Sequence, residues 1–571
     1  MKGIAILLLA LVILPLVSCS GGADEDSCPL QELPYPRPEP AYNGKLERDF
    51  TPFTDALSAY TPEQAAMYEA LISGKTIPEL QILLDNGELT SVKLVVYYLE
   101  RIQRYDIDKL NSVLELNPEV LEIAQSLDDE RTAGVVRGGM HGIPVLLKDN
   151  IATGDDLHTA AGAAAMLDWN PDRDAFLVSQ LRDAGAIILG KANLSEWANW
   201  SDPCTPNGFS TNGGQTQNPY GAFETYGSSS GSAVSVAADL TTVSVGSETQ
   251  GSIIAPGTIN SVVALKTSRG LVSGDYIIPL LPWQDVAGPI GRTVTDVAVL
   301  LSAMTGVDTN DPNTNASAEL AGSDFTQSLT PEVWEGLRVG ILIFTQEVID
   351  EQIGGLDFTD EQKEPVLANY ALMNAATRAT GVILSEAGLT VVEIPTTAVS
   401  YGLPLVPALE YGYKEGINTF LAAVGNGAPE SLEAIITFNS EDIANRAPYG
   451  QGHLEASQAP ELSSDEYENI KRDNQRIARE GLDALFAEYG INVVVSSVGQ
   501  TYAPAGYPAL TIPSGYAEDG TPQSIVLVGG FMSEPQLLAA GYAYEQTAQA
   551  RVAPNLEATM GLIAELDNLS P

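Results

Sequence analysis

The sequence predicts an α/β fold in which a largely buried β-sheet is covered by helices. Short apolar runs of strand length alternate along the chain with segments whose apolar residues follow helical spacing. Such alternation is typical of α/β architectures. The runs are almost continuously apolar, which indicates strands covered on both faces. At 571 residues the chain is long enough for a large core, and its length alone suggests two or more domains.

Four segments are predicted as helices from their apolar spacing or small-residue content. LTSVKLVVYYLERIQRYD covers residues 89–106, and NPEVLEIAQSLDDER covers 117–131 with a start near Asn117-Pro118. FLVSQLRDAG at 176–185 and the small-residue segment SAVSVAADL at 232–240 follow. Apolar runs predict strands at 143–148, 186–190, 241–246, 338–344, 492–497 and 524–529.

Two further regions differ from this alternating pattern. Residues 19–77 contain a run rich in Pro, Asp, Glu and Gly, which predicts an acidic tether leading into a domain at 78–571. Residues 350–475 are more helical and more acidic, with few strand signals. This second region is predicted to be an insertion or cap that shapes a substrate site.

The first eighteen residues have the features of a secretory signal. Lys2 precedes an apolar run from Ile4 to Leu14, and the run is shorter than the roughly 20 residues of a spanning helix. The sequence LVSC at 16–19 resembles the bacterial lipobox, which implies cleavage before Cys19 and a lipid anchor on its sulfur. The alternative is an ordinary signal peptide with an incidental cysteine. Both readings place the mature chain outside the cytoplasm, with Cys19 as the only membrane contact under the first.

Composition bounds the partners. The chain carries 28 Lys+Arg against 74 Asp+Glu, a net charge of −46, which disfavours nucleic acid and indicates a well-solvated acidic surface. Its three histidines (His141, His158 and His453) show no paired metal-ligand spacing, so no metal is expected. Cys28 and Cys204 are able to pair in an oxidising compartment, but two free thiols fit the sequence as well.

Three short stretches concentrate residues with chemical potential. HGIPVLLKDN at 141–150 places Lys148 at the end of an apolar strand. YGSSSGSA at 226–233 is a Gly/Ser turn before the small-residue helix, and GSETQGS at 246–252 ends in Ser252. Each stretch alone is weak evidence, because strand-terminal lysines are usually solvated and Gly/Ser runs are usually flexible loops.

Taken together and in this order, the three stretches resemble the motifs of the amidase signature family of serine hydrolases. Further similar segments lie at 174–200, 213–220, 284–301 and 505–515, so the resemblance runs from about residue 78 to the C-terminus except for parts of 305–490. It implies the amidase-signature fold: a large mixed β-sheet core flanked by helices (α/β/α) with a more helical insertion. It also implies hydrolysis of a linear carboxamide without any cofactor.

The resemblance assigns roles to individual residues. Ser252 matches the nucleophile, Ser228 the bridging serine behind a cis peptide Gly227-Ser228, and Lys148 the base. The backbone N–H groups of Thr249, Gln250, Gly251 and Ser252 match an oxyanion hole. A lysine accepts a proton only when it is neutral, and burial lowers its pKa by disfavouring the ammonium ion. The apolar IPVLL before Lys148 predicts such surroundings.

Some positions depart from the commonest family pattern. Glu248 stands where aspartate is frequent, Gln250 where glycine is frequent and Ile254 where arginine is frequent, while Tyr226 and Ser230 replace glycines. These residues indicate a branch similar to peptide amidase. His141 is interpreted as a structural hydrogen-bonding residue beside a strand.

Three functions therefore stay open at this stage. The first is an exported amidase that releases ammonia or an amine from a small-molecule or peptide amide. The second is a lipid-anchored ligand-binding protein that keeps the fold without turnover. The third is the glutaminase subunit of a tRNA amidotransferase, which the export signal and acidic surface disfavour. The sequence does not indicate an oligomeric state.

Overall fold

The structure is a computed structural model that describes residues 39–354, 360–396, 405–496 and 500–567. Within them it has thirteen strands. They are β1 Val113–Leu116, β2 Pro144–Lys148, β3 Ile187–Ala192, β4 Phe209–Ser210, β5 Gly214–Gln215, β6 Val243–Glu248, β7 Val263–Lys266, β8 Val286–Gly291, β9 Arg338–Ile343, β10 Thr390–Pro395, β11 Val493–Val495, β12 Ala509–Tyr516 and β13 Pro522–Gly529.

The α-helices of the same residues surround these strands. They are α1 Thr54–Ser58, α2 Pro62–Ile72, α3 Ile77–Asp85, α4 Ser91–Tyr105, α5 Val120–Thr132, α6 Phe176–Asp183, α7 Glu196–Asn199, α8 Ser230–Ala237, α9 Ile254–Ile259, α10 Val294–Ser302, α11 Pro331–Trp334, α12 Gln346–Gly354, α13 Asp360–Glu386, α14 Val406–Val424, α15 Leu432–Glu441, α16 Ile443–Arg446, α17 Gly452–Gln458, α18 Ser464–Tyr489, α19 Tyr502–Ala505, α20 Glu534–Ala548 and α21 Leu556–Asp567. Seen along the chain, the fold is α/β, as the sequence predicts.

Eleven of the described strands form one mixed sheet, and β4 and β5 form a separate small pair. The order in the large sheet is β1-β3-β2-β6-β8-β7-β12-β13-β11-β9-β10. Parallel pairs join β2 to β3 and β6, and join β9 to β10 and β11, while the other neighbours are antiparallel. Two parallel regions thus flank an antiparallel centre.

Both faces of the sheet are covered. Along β7, Val263 and Leu265 pack into the largest apolar cluster with residues of α10 and α20, whereas Ala264 packs into a separate cluster with residues of α8. Because successive side chains of a strand point to opposite faces, these clusters lie on the two sides of one sheet. The α/β/α layering expected from the family resemblance is confirmed.

The helices begin and end at residues suited to those positions. The Thr90 side chain caps α4 by accepting the Lys93 N–H, and Ser463 and Glu466 form a capping box at the start of α18. Gly490 ends α18 with a left-handed backbone at φ 57°. These local signals explain why the predicted helix at 89–106 is observed as α4.

Two sequence-based expectations need correction. Residues 39–77 are not simply a tether, since they include α1 and α2, and Thr61 with Gln64 forms a capping box ahead of Pro62. Proline at the first helical position starts a helix instead of preventing one. The helical region at 350–475 also contains β10, which pairs in parallel with β9. The predicted signal segment and Cys19 lie outside the described residues.

Candidate active site

The candidate site lies where two neighbouring parallel strands end. β2 ends at Lys148 and β6 ends at Glu248, and the two strands pair in register from Val145 to Leu147. Parallel strands place their carboxyl ends on the same edge of a sheet. The loop 246–252 follows β6 at this edge, and the serines that begin α8 are brought to Lys148.

Lys148 is fully buried and contacts two hydroxyl groups. Its Nζ lies 2.7 Å from Ser228 Oγ, 3.0 Å from Ser229 Oγ and 3.1 Å from the carbonyl oxygen of Ser247. Burial lowers the pKa of Lys148 to about 7, although the carboxylates of Asp285 and Glu248 act in the opposite direction. A neutral amine is therefore accessible at this position near neutral pH.

The hydrogen bonds around Lys148 match the needs of a neutral amine. Ser229 Oγ lies 3.0 Å from the Ser247 carbonyl oxygen and accepts the Ser247 N–H at 3.2 Å. A neutral amine has two N–H donors, which Ser229 Oγ and the Ser247 carbonyl oxygen accept, and one lone pair. That lone pair is left to accept the Ser228 hydroxyl proton. The arrangement directs the basic electron pair of Lys148 toward Ser228.

Ser252 is joined to this group through its backbone. Its carbonyl oxygen accepts the Ser229 N–H at 3.1 Å, and the residue is 8% exposed while Ser228 and Lys148 are 0% exposed. Among the described residues, the Ser252 hydroxyl makes no hydrogen bond, so the Ser228–Ser252 link is not formed in this structure. The peptide bond Gly227-Ser228 is cis. The structure thus gathers all three predicted residues, with Ser252 as the one a substrate can reach.

The loop that carries Ser252 is held by the buried carboxylate of Glu248. Its Oε1 accepts the Gly251 N–H at 2.8 Å, and its Oε2 accepts the N–H groups of Ile253 and Ile254 at 2.8 and 3.0 Å. Three backbone donors on both sides of Ser252 therefore point inward to one side chain. Glu248 fixes the conformation of the nucleophile loop.

This contact corrects the predicted oxyanion hole. The Gly251 N–H is already donated to Glu248, so it is not free to face a substrate. The N–H groups of Thr249, Gln250 and Ser252 have no acceptor among the described residues. The set of donors available to an oxyanion is therefore narrowed from four to three.

A second contact layer fixes the other side of the loop. Thr249 Oγ1 donates to Asp285 Oδ1 at 2.5 Å, and Asp285 Oδ2 accepts the N–H groups of Leu280 and Leu281. Gln284 Nε2 donates to the Thr249 carbonyl oxygen at 2.9 Å. The segment 280–285 thereby ties the nucleophile loop to an apolar cluster.

That cluster connects the site to the helical region of the chain. It combines small and aromatic residues of the segment 152–169 with Ile278, Leu280 and Leu281. Helix α14 supplies Leu409, Tyr413 and Ile417 to it, in line with the predicted role of 350–475 in shaping a site. An apolar wall therefore lies beside the nucleophile loop.

Sequence reasoning missed several groups that the structure brings to this site. Ser229 and Ser247 contact the Lys148 amine, while Glu248, Gln284 and Asp285 contact the nucleophile loop. Ser229 and Glu248 stand inside the quoted motifs, where a hydrogen-bond inventory of each motif offered a signal. Asp285 and Gln284 are more than thirty residues from the loop, and no local pattern links them to it.

The remaining candidate residues have structural environments. His141 is buried, and its ring nitrogens contact the Leu127 carbonyl oxygen at 3.0 Å and the Arg137 N–H at 3.4 Å, which agrees with the structural role expected of it. Cys204 is disulfide-bonded, and the two other cysteines of the chain both precede residue 39. In the described part of the chain, no group of three His, Cys, Asp or Glu residues is arranged to hold a metal ion.

Known proteins similar to this chain are amidases. The family model described as Amidase matches residues 93–355. A probable amidase of Arabidopsis thaliana is 33% identical over 85% of this chain and 92% of its own length. Among solved structures, an amidase family protein from Bacillus anthracis is 37% identical with a TM-score of 0.80, covering 90% of this chain and 99% of that one.

A third similar protein has a more specific name. The native peptide amidase from Stenotrophomonas maltophilia is 36% identical with a TM-score of 0.75, covering 85% of this chain and 99% of that one. Identity and coverage of this extent, together with the shared sheet topology, include the nucleophile loop and the strand that ends at Lys148. The chain belongs to the amidase family.

Proposed function

We propose that this chain hydrolyses the C–N bond of a linear carboxamide through an acyl-enzyme on Ser252, with Ser228 and Lys148 completing a Ser-Ser-Lys triad. The observation that carries the proposal is the buried Lys148 amine, which lies 2.7 Å from Ser228 Oγ. Its hydrogen-bond partners among the described residues are two hydroxyls and one carbonyl oxygen, so the neutral form is fully satisfied.

Proton transfer then follows the order of contacts. Ser252 loses its hydroxyl proton to Ser228 as it attacks the amide carbon, and Ser228 passes its own proton to the neutral Lys148 amine. The resulting oxyanion receives the N–H groups of Thr249, Gln250 and Ser252, each donor worth about 3–4 kcal/mol in comparable sites. Lys148 then returns a proton through Ser228 to the departing nitrogen, and water hydrolyses the acyl-enzyme. No step uses a cofactor.

The similar peptide amidase favours a peptide amide as substrate over the other linear amides. Two other functions are tested against this one. A ligand-binding protein without turnover has no need of a buried, neutral lysine directed at a serine hydroxyl. A glutaminase subunit of an amidotransferase requires free glutamine to be hydrolysed, which an assay with glutamine decides.

The test compares Ser252→Ala with wild type on a peptide amide, a simple aliphatic amide and glutamine. Ammonia release is expected to fall by roughly 10⁴-fold or more in Ser252→Ala, because the attacking oxygen is removed. Acid quenching of the wild-type reaction followed by mass spectrometry should find the acyl group on the peptide that contains Ser252.

Ser244→Ala is the matched control. Ser244 is a fully buried serine of β6 whose hydroxyl has no hydrogen-bond partner among the described residues, and its loss should leave activity close to wild type. An unchanged rate in Ser252→Ala would show that the nucleophile is elsewhere. A folded wild type that binds amides without releasing ammonia would favour the binding protein.

We also propose that the chain is exported and lipid-anchored at Cys19. The disulfide at Cys204 supports an oxidising compartment, where such bonds persist. No helix of the described residues is long and apolar enough to cross a membrane. Labelling with a radioactive fatty acid should mark the wild type and leave Cys19→Ala unlabelled; equal labelling of both would refute the anchor.

A further inference from the structure

We propose that the side chains of Gln250 and Gln500 form a subsite beside Ser252 that binds a second amide group of the substrate. The inference rests on the proposed function and deepens it by naming a substrate class. The favoured substrate carries a peptide group next to the carboxamide that is hydrolysed. A simple aliphatic or aryl amide leaves this subsite empty.

The orientation of the Gln250 side chain follows from its neighbours. Gln284 is 1% exposed and its Nε2 donates to the Thr249 carbonyl oxygen, which fixes which end of the Gln284 amide is nitrogen. The same Nε2 lies 3.4 Å from Gln250 Oε1. The Gln250 oxygen is therefore turned toward Gln284. Its Nε2, which bears two donors, has no acceptor among the described residues.

Gln500 lies on the other side of the nucleophile loop. A Cβ placed on Gly251 would be 3.2 Å from Gln500 Nε2 and 3.6 Å from both its Cδ and its Oε1. The three similar distances show the Gln500 carboxamide lying flat against Gly251, which a larger residue at 251 would disturb. Like Gln250, Gln500 is half-buried, and its amide makes no hydrogen bond within the described residues.

The backbone of both residues is unusual at this point. Gln500 has φ +60° and Gly251 has φ +79°. A residue other than glycine rarely adopts a positive φ, and such conformations cluster at ligand-binding and catalytic sites. Here the conformation at Gln500 accompanies the placement of an unpartnered carboxamide next to the residue before Ser252.

The chemistry of the two groups selects the ligand. A peptide group offers one N–H donor and one carbonyl acceptor, which Gln500 Oε1 and the Gln250 or Gln500 Nε2 are able to match. Both side chains are uncharged, so a neutral amide is favoured over a carboxylate or a phosphate. A site built to hydrogen-bond such a group discriminates against analogues that lack it.

The test uses two amides that differ by one peptide group. N-acetylleucinamide carries an acetamido group beside the scissile carboxamide, and 4-methylpentanamide is the same skeleton without it. In wild type, kcat/KM for N-acetylleucinamide should exceed that for 4-methylpentanamide. Gln500→Ala should lower the ratio of the two values by about tenfold, mainly through KM for the acetylated amide.

The control variant is Gln546→Ala, an exposed glutamine of α20 whose amide contacts Glu545. It should leave the ratio unchanged. An unchanged ratio in Gln500→Ala, or an equal loss on both amides, would overturn the subsite while leaving the amidase proposal intact.

Binding supplies a readout that does not depend on turnover. Titration calorimetry of N-acetylleucinamide into Ser252→Ala should show about tenfold weaker binding when Gln500→Ala is added. Equal affinities in the two proteins would overturn the subsite. If wild type hydrolyses neither amide, the proposed function fails, and this titration still decides whether Gln500 binds the second amide group.

Discussion

Lys148 ends β2, and Lys191 lies in the neighbouring parallel strand β3; both side chains are fully buried. Leu147 pairs with Lys191 across the ladder and Lys148 pairs with Ala192, so the two lysines point to opposite faces of the sheet. Lys191 Nζ lies 2.6 Å from the Ile151 carbonyl oxygen and 2.7 Å from Thr159 Oγ1. Its partners belong to the loop that follows β2.

The two lysines differ in the charges and hydroxyls around them. Burial lowers the pKa of Lys191 to about 8, and the nearby Asp149 is the largest influence in the opposite direction. Burial also raises the pKa of Asp149 to about 7. Lys191 thus joins a structural loop to the sheet beside a buried carboxylate, whereas Lys148 faces two serine hydroxyls. Burial alone does not make a base; the lone pair must also face a proton donor in the reaction path.

The largest expected effect separates these two roles. Lys148→Ala should lower kcat by roughly 10⁴-fold, because the only base in contact with Ser228 is lost from the proposed relay. Lys191→Met should keep kcat within a few-fold of wild type but lower the free energy of unfolding by about 1–3 kcal/mol, since the Ile151 carbonyl and Thr159 hydroxyl lose their partner. Steady-state ammonia release and urea unfolding measure the two effects.

The opposite pattern would break the comparison. If Lys191→Met lost activity while its unfolding midpoint stayed at the wild-type value, Lys191 would belong to the reaction path. Circular dichroism of Lys148→Ala serves as its control for folding, because a loss of activity counts only in the folded protein.

An intermediate effect is expected at the nucleophile loop. Glu248→Gln replaces a carboxylate that accepts three backbone N–H groups by a carboxamide with one oxygen, so the loop loses acceptors on one side. We expect kcat to fall by about 10²-fold with a smaller change in KM, because the oxyanion donors of the same loop are displaced. Stopped assays over a range of substrate concentrations separate the two constants.

Glu534→Gln is the matched control for that experiment. Glu534 is also fully buried, but its carboxylate accepts a single backbone N–H, from Ser268, at 2.6 Å. Its loss should change kcat no more than a few-fold. A Glu248→Gln enzyme with wild-type kcat would show that the loop holds its conformation without this carboxylate.

The sequence predicted the parts of the molecule that are encoded locally. The strand ending at Lys148 and the helix at 89–106 are observed because their apolar spacing and the Thr90 cap act within a few residues. β10 was missed because a short apolar run beside long helices does not distinguish strand from helix. The helices at 54–72 were missed because a composition rich in Pro and Glu conceals helix starts at Pro62.

The candidate site was predictable from motifs only as far as its list of residues. The motifs identified Lys148, Ser228 and Ser252, but the family pattern assigned the Gly251 N–H to the oxyanion, whereas the structure gives it to Glu248. The contacts of Asp285 with Thr249 and of Gln284 with the same loop join residues about 35 positions apart. Such pairings arise from tertiary packing, which no short motif contains.

The smallest expected effect concerns pH. The base acts in its neutral form, so kcat/KM should rise about tenfold per pH unit below the Lys148 pKa of about 7 and level off above it. Asp285 raises the pKa of Lys148 by stabilising the ammonium ion, and it is the largest such influence. Asp285→Asn removes that charge, so the midpoint of the profile should move to lower pH by up to about one unit.

The comparison of the two lysines supplies the control for this shift. Glu115 contributes to the charge around Lys191 and contacts the His158 ring at 2.8 Å, whereas Lys148 is influenced by Asp285 and Glu248. Glu115→Gln should therefore leave the midpoint of kcat/KM in place. A midpoint that moves with Glu115→Gln and not with Asp285→Asn would assign the titration to Lys191. In that case the proton acceptor would lie on the opposite face of the sheet.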